Sequence, residues 1–139
     1  MSRILDLLLR PETVNVRKNM PRARYELPRL TELYGEPFVL ELQGVPYGRA
    51  LELRDMADSE VQTVLAGDAA GVWKSAELQK KQNAATPAEL VTNLLLPGEI
   101  RAVSVAVEQL TGFRKPVLKP VEEKQPSLEA MVQEDIEKN

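Results

Sequence analysis

The stretch from Thr86 to Gly112 constrains the fold of this chain more than any other. It opens with Thr86-Pro87-Ala88-Glu89, a capping box with proline at the first helical position. Thr86 is expected to accept from the Glu89 amide while the Glu89 carboxylate reaches back, so that amides with no partner inside the helix are satisfied. Leu90, Val91, Leu94 and Leu95 then form one apolar stripe. Leu96-Pro97-Gly98 breaks that helix and starts another at about Pro97, with Glu99 in its first turn. Ile100, Val103, Val107 and Leu110 recur at core-facing spacing, and Thr111-Gly112 places a glycine where a left-handed cap is wanted. Any fold of this chain has to bury both stripes.

The rest of the chain reads as shorter pieces. Ile4 to Leu9 predicts a short helix with Ser2 as N-cap, stopped by Pro11. Val14 and Val16 alternate with polar residues between Thr13 and Arg17, as in a short strand or extended arm. Pro21 and Pro28 punctuate the next stretch, with an edge strand over Arg24 to Leu27. Tyr34-Gly35-Glu36-Pro37 signals a turn. Beyond it, Phe38, Leu40 and Leu42 alternate with Val39, Glu41 and Gln43, the clearest strand in the chain. Pro46 to Met56 turns helical, Val61 to Ala66 is too short for periodicity to decide, and Ser75 caps a helix to Gln82. The predicted class is α+β and mostly α-helical, with a small antiparallel hairpin or sheet near residues 13–43 followed by several short helices.

After Phe113 the composition changes. Lys115-Pro116, Lys119-Pro120 and Gln125-Pro126 mark a charged linker over 114–126 that no helix can cross. Ser127 then caps a segment in which Leu128, Met131, Val132 and Ile136 share one face. The organisation expected is one small globular domain over 1–113, the linker, and a C-terminal amphipathic helix over 127–139.

Several function classes are excluded by what the chain lacks. It has no Cys and no His, which removes disulfides, thiolate chemistry, histidine triads and the usual zinc sites. No phosphate-cradling glycine loop or calcium loop is present, because Gly67 and Gly71 are isolated and Asp58 and Glu60 lack the required spacing. Glu52, Asp55, Asp58 and Glu60 read as a solvated face. The expectation is a protein with no catalytic residues, no metal and no cofactor. No apolar run approaches the roughly 18 residues of a membrane span, and Ile4 to Leu9 is too short for a signal peptide. The formal net charge is −3, yet residues 1–30 carry seven basic residues against Asp6, Glu12 and Glu26. A basic arm on an acidic body suits an acidic partner or nucleic acid, and equally reads as a solvated, interleaved surface; the acidic body and the scarcity of interleaved aromatics argue against nucleic acid.

Three stretches in order resemble the XkdN-like tail assembly chaperones of phages and phage-like elements. The first is the basic, proline-punctuated segment leading into Gly35-Glu36-Pro37-Phe38, with a strand and the charged helix around Glu52-Leu53-Arg54 after it. The second is Ala84-Ala85-Thr86-Pro87-Ala88-Glu89-Leu90. The third is Leu95-Leu96-Pro97-Gly98-Glu99-Ile100, followed by Leu110-Thr111-Gly112-Phe113. The similarity spans roughly residues 24–139 and is densest over 84–113; Val72-Trp73-Lys74-Ser75 departs from the pattern.

The resemblance implies a non-enzymatic protein that binds and solubilises the tape measure protein and helps recruit tail tube subunits. Its implied partners are the tape measure protein, the tail tube protein and further copies of itself, without a membrane. Its implied place is the bacterial host cytoplasm, phage- or prophage-encoded and absent from the mature virion. The alternative is a structural tail or head–tail subunit retained in the particle. Leu128, Met131, Val132 and Ile136 are the candidate partner-binding residues, for a partner helix or a neighbouring subunit; the alternative is that the segment folds back onto its own core. Trp73, the single tryptophan, is either an interface anchor or a core plug.

Overall fold

The structure, a computed structural model, describes residues 2–122. Its organising element is α7 (Pro97–Thr111), whose buried face consists of Ile100, Val103, Ser104, Ala106 and Val107. The stripe read from the sequence is that face, with Leu110 packed half-buried at its end. Against it lie α4 (Ser59–Ala66), the residues Val61–Ala66 that periodicity left undecided, and the strand β2 (Val39–Gln43). The approach is close at Gly67. A Cβ there would run into Val107 Cγ2, with Val107 Cγ1 at 2.7 Å, so only glycine lets the end of α4 pass α7.

β2 pairs antiparallel with β1 (Arg22–Glu26), in a register that sets Arg22 opposite Gln43 and Glu26 opposite Val39. Leu40 and Leu42 point into the core while Glu41 faces out, as the alternation predicts. The far edge of β2 is occupied as well: the Gln43 amide donates to the Gly67 carbonyl at 2.9 Å and the Ala69 amide to the Glu41 carbonyl at 3.0 Å. Among the described residues the sheet has two strands, and two expectations for this region change. Thr13 to Arg17 is not a strand, and Val14 and Val16 are exposed. Asn15 holds the chain in a local turn instead, its Oδ1 accepting from the Arg17 amide and its carbonyl from the Lys18 and Asn19 amides. Nor do the strands form a simple hairpin, because α2 (Pro28–Tyr34) is inserted between them. Pro28 occupies the first turn of that helix, where its missing N–H costs nothing.

The remaining elements follow the local signals. α3 (Tyr47–Arg54) buries only Leu53. A 3₁₀ turn over Val72–Lys74 precedes α5 (Ala76–Lys81), whose Leu78 amide is capped by Ser75 Oγ at 3.1 Å. α6 (Pro87–Leu94) buries Leu90 and Val91 completely. Among the described residues, the buried apolar ones run from Leu27 to Val107. α1 (Arg3–Leu8) buries nothing.

Candidate partner-binding surface

The motif residues of 86–112 build a rigid frame. Thr86 Oγ1 accepts from the Glu89 amide at 3.1 Å, and Glu89 Oε2 accepts from the Ala85 amide at 2.9 Å, one residue further back than a reciprocal box would place it. Pro97 and Gly98 open α7, and Ile100 enters the core. Gly112 ends the helix with φ 100°, a conformation open to glycine at little strain.

Glu99 does two jobs. It accepts from the Leu96 amide at 2.8 Å, capping α7, and it receives a forked pair of bonds from Arg29 Nε and Nη2 at 3.1 and 2.8 Å. Arg29 Nη2 also donates to the Leu94 carbonyl at 2.9 Å. The hydrogen bond from Arg29 holds the Glu99 carboxyl below its ordinary range; burial opposes this, and the Leu96 amide reinforces it. One arginine on α2 thereby fastens the sheet unit to the turn between α6 and α7.

Beside this frame stands a surface that no local motif announces. α1 is well capped, Ser2 Oγ accepting from the Leu5 amide at 3.1 Å, yet Ile4, Leu5, Leu7, Leu8 and Leu9 are all exposed, Ile4 by 70%. Among the described residues this leaves a leucine-rich helix with an exposed apolar surface, the kind of patch that marks a candidate interaction site. The clue lies in the residues themselves: four of the six in α1 are Ile or Leu, which leaves little wet face. A second apolar feature is a cavity of about 350 Å³ between α3, α4 and the end of α7, lined by Val45, Leu53, Val107 and Phe113 among others.

Of the candidate partner-binding residues, Leu128, Met131, Val132 and Ile136 lie outside the described residues. Trp73 is 3% exposed and belongs to the core. Asp68 organises its loop: Oδ1 accepts from the Gly71 amide and Oδ2 from the Trp73 amide, each at 3.1 Å. Arg29 and Asp68 both escaped the sequence reading: Arg29 acts on a residue 70 positions away, and Asp68, although its Asp-x-x-Gly spacing is a local turn signal, was not singled out. Among the described residues no group of three or more His, Cys, Asp or Glu could hold a metal ion, and no helix is long and apolar enough to cross a membrane.

A model of the phage XkdN-like tail assembly chaperone family matches residues 48–125, more than half of the chain. The match starts one residue into α3 and takes in the rest of the α3–α7 frame, narrower at both ends than the similarity read from the motifs. Neither a curated protein nor a solved structure matches the chain. With the Thr-Pro-Ala-Glu cap, the Pro-Gly-Glu-Ile turn and the Gly112 stop all inside the matched region, the chain belongs to the XkdN-like phage tail assembly chaperone family.

Proposed function

We propose that this tail assembly chaperone binds the tape measure protein, keeps its apolar helical stretches in solution, and helps bring tail tube subunits to it. The observation that carries the reading is α1, a capped apolar helix whose residues are exposed and which an exposed stretch running to Asn19 joins to the body. An isolated helix of six residues is marginal in water, so its apolar side chains gain most when another helix covers them. The stripe of Leu128, Met131, Val132 and Ile136 offers the tape a second contact of the same chemistry. Apolar segments on tethers suit a coat that must release, because each contact is small and the sum is large.

The test is co-expression with the tape measure protein of the same phage or prophage, followed by affinity purification and a count of copies per tape. Soluble tape carrying many copies is the expected result. Deleting residues 2–19, or the chain beyond Lys115, is expected to lower that count. An insoluble tape, with this protein recovered alone and present in purified particles, would replace the reading with a virion subunit.

A further inference from the structure

A basic cleft opens beside the place where the chain leaves the body. Arg17, Lys18, Asn19 and Arg22 line it together with Gln43, Gly44 and Pro46, around a space of about 430 Å³. A Cβ built at Gly44 would meet Met20 Cε at 2.8 Å and the Leu110 carbonyl oxygen at 2.6 Å, so the cleft abuts the last turn of α7. The Val45 amide donates to Thr111 Oγ1 at 2.9 Å and fixes the same junction. Gly112 then turns the chain outward, and residues 113–122 are exposed.

No ion pair among the described residues compensates the cleft's charge. Among the described residues the ion pairs are Arg29–Glu99, Arg49–Glu52, Arg101–Glu60 and Arg114–Glu108, and none uses Arg17, Lys18 or Arg22. The chain carries the complement itself. Residues 127–138 hold Glu129, Glu134, Asp135 and Glu137 against the single Lys138. The stretch from Gly112 to Leu128 reaches up to roughly 50 Å when extended, far more than the distance from α7 to a cleft against its end.

We propose that the acidic segment 127–138 docks in this basic cleft of its own chain. A segment on so short a tether meets its site at an effective concentration near the millimolar range, which lets a few screened charge pairs hold it. Docked, the segment keeps Leu128, Met131, Val132 and Ile136 close to the body; an apolar helix competing for that stripe releases it. This last consequence rests on the proposed function. The docking itself does not.

Because the chain has no cysteine, one introduced pair of thiols reports alone. Asn19→Cys with Ser127→Cys, in the full chain at low concentration and without any tape measure protein, is expected to form an intramolecular disulfide. It should form about tenfold faster than Leu33→Cys with Ser127→Cys, whose first thiol sits on α2 beyond the far end of β1. Arg17→Glu with Arg22→Glu should bring the two rates together, and adding Glu134→Arg with Asp135→Arg should restore the difference. Raising salt on the unreversed pair is an independent check, since screening acts without a change of fold. Equal rates for both pairs, or indifference to charge and salt, overturn the docking. Cross-linked dimers in place of monomers overturn it in favour of a second copy. With no tape present, a negative result leaves the proposed function untouched, and a tape that fails to co-purify leaves the cross-link standing.

Discussion

α1 and α6 are locally the same kind of helix with opposite fates. Each starts on a hydroxyl cap, Ser2 for one and Thr86 for the other, with the same 3.1 Å bond to the amide three residues on. Each is rich in aliphatic residues. Yet α6 buries Leu90 and Val91 completely, while α1 buries none of its residues. Caps and propensity therefore decide where these helices begin; a tertiary partner decides what they contribute. Burying an aliphatic side chain is worth about 1.5–3 kcal/mol, several times a pair of surface helix contacts. α6 has that partner in α4 and the 3₁₀ turn. α1 buries no residue against the described body, and under the proposed function its partner is a helix of the tape.

The widest separation between the two helices should come from truncating one leucine in each. Leu90→Ala removes a side chain with no exposure and is expected to cost about 2–5 kcal/mol in urea unfolding. Leu5→Ala, 43% exposed at the start, should stay within about 0.5 kcal/mol. Similar losses at the two positions would mean that α1 is packed on the body. The caps give a smaller contrast of the same kind. Thr86→Ala should lower stability by about 1 kcal/mol, and Ser2→Ala should leave the global midpoint where it is, because fraying of an unpacked helix is not coupled to global unfolding. Amide exchange of Leu5 separates the cases: it should quicken in Ser2→Ala although the midpoint does not move.

Much of the frame was legible because its signals are local. The Thr86 box, the Pro97 start and the Gly112 stop each need only residues within one or two turns. Failures occurred where two local rules compete or where the cause is distant. Pro28 is as much a helix start as a breaker, and the buried Leu30 with the Gly35 cap, which tip the balance, carry meaning only once β1 and β2 are placed. Val14 and Val16 alternate as a strand does, but β1 starts only at Arg22 and Asn15 supplies a turn, so alternation had nothing to act on. The Arg29–Glu99 fork joins residues 70 positions apart, beyond the reach of any spacing rule. As for the candidate surface, Ile4 to Leu9 was legible as a helix; that it stays bare is a property of the whole fold.

Glu99 offers a pH-dependent version of the contrast, smaller than the core and cap effects because Arg29 is substantially exposed and solvent screens the pair. Its carboxyl is held below the ordinary value near 4.5, first by the hydrogen bond from Arg29. The ionised form is therefore favoured in the folded state. The stabilisation is present above the unfolded value and is lost as pH falls through the lower folded one. Between neutral pH and about 4.5 the Glu99 contribution should stay constant, and it should fade below that. Glu99→Gln is expected to be less stable than the parent at pH 7 and to converge with it in acid, read from urea midpoints against pH. Parallel curves down to the acid limit would remove the Arg29 bond from the account of how the sheet unit is held. The same substitution should not alter the exchange of α1 amides, since α1 shares no bond with this junction.

The smallest effect on stability should accompany the largest on function. Leu5→Ser with Leu8→Ser replaces two exposed leucines of α1 that are not among the core residues from Leu27 to Val107. Surface changes of this kind stay within about 0.5 kcal/mol each, so the urea midpoint should scarcely move. If α1 is covered by a tape helix during assembly, each serine removes apolar area from that contact and leaves a hydroxyl to be desolvated. Fewer copies per tape and a smaller soluble fraction of tape are then expected from a chaperone that is fully folded. A variant that keeps its stability and still coats the tape at the parent's stoichiometry would move the contact off α1, to the 350 Å³ cavity or to the segment beyond residue 126. A variant that loses stability would instead show that α1 has a partner on its own body, and the contrast with α6 would be one of degree.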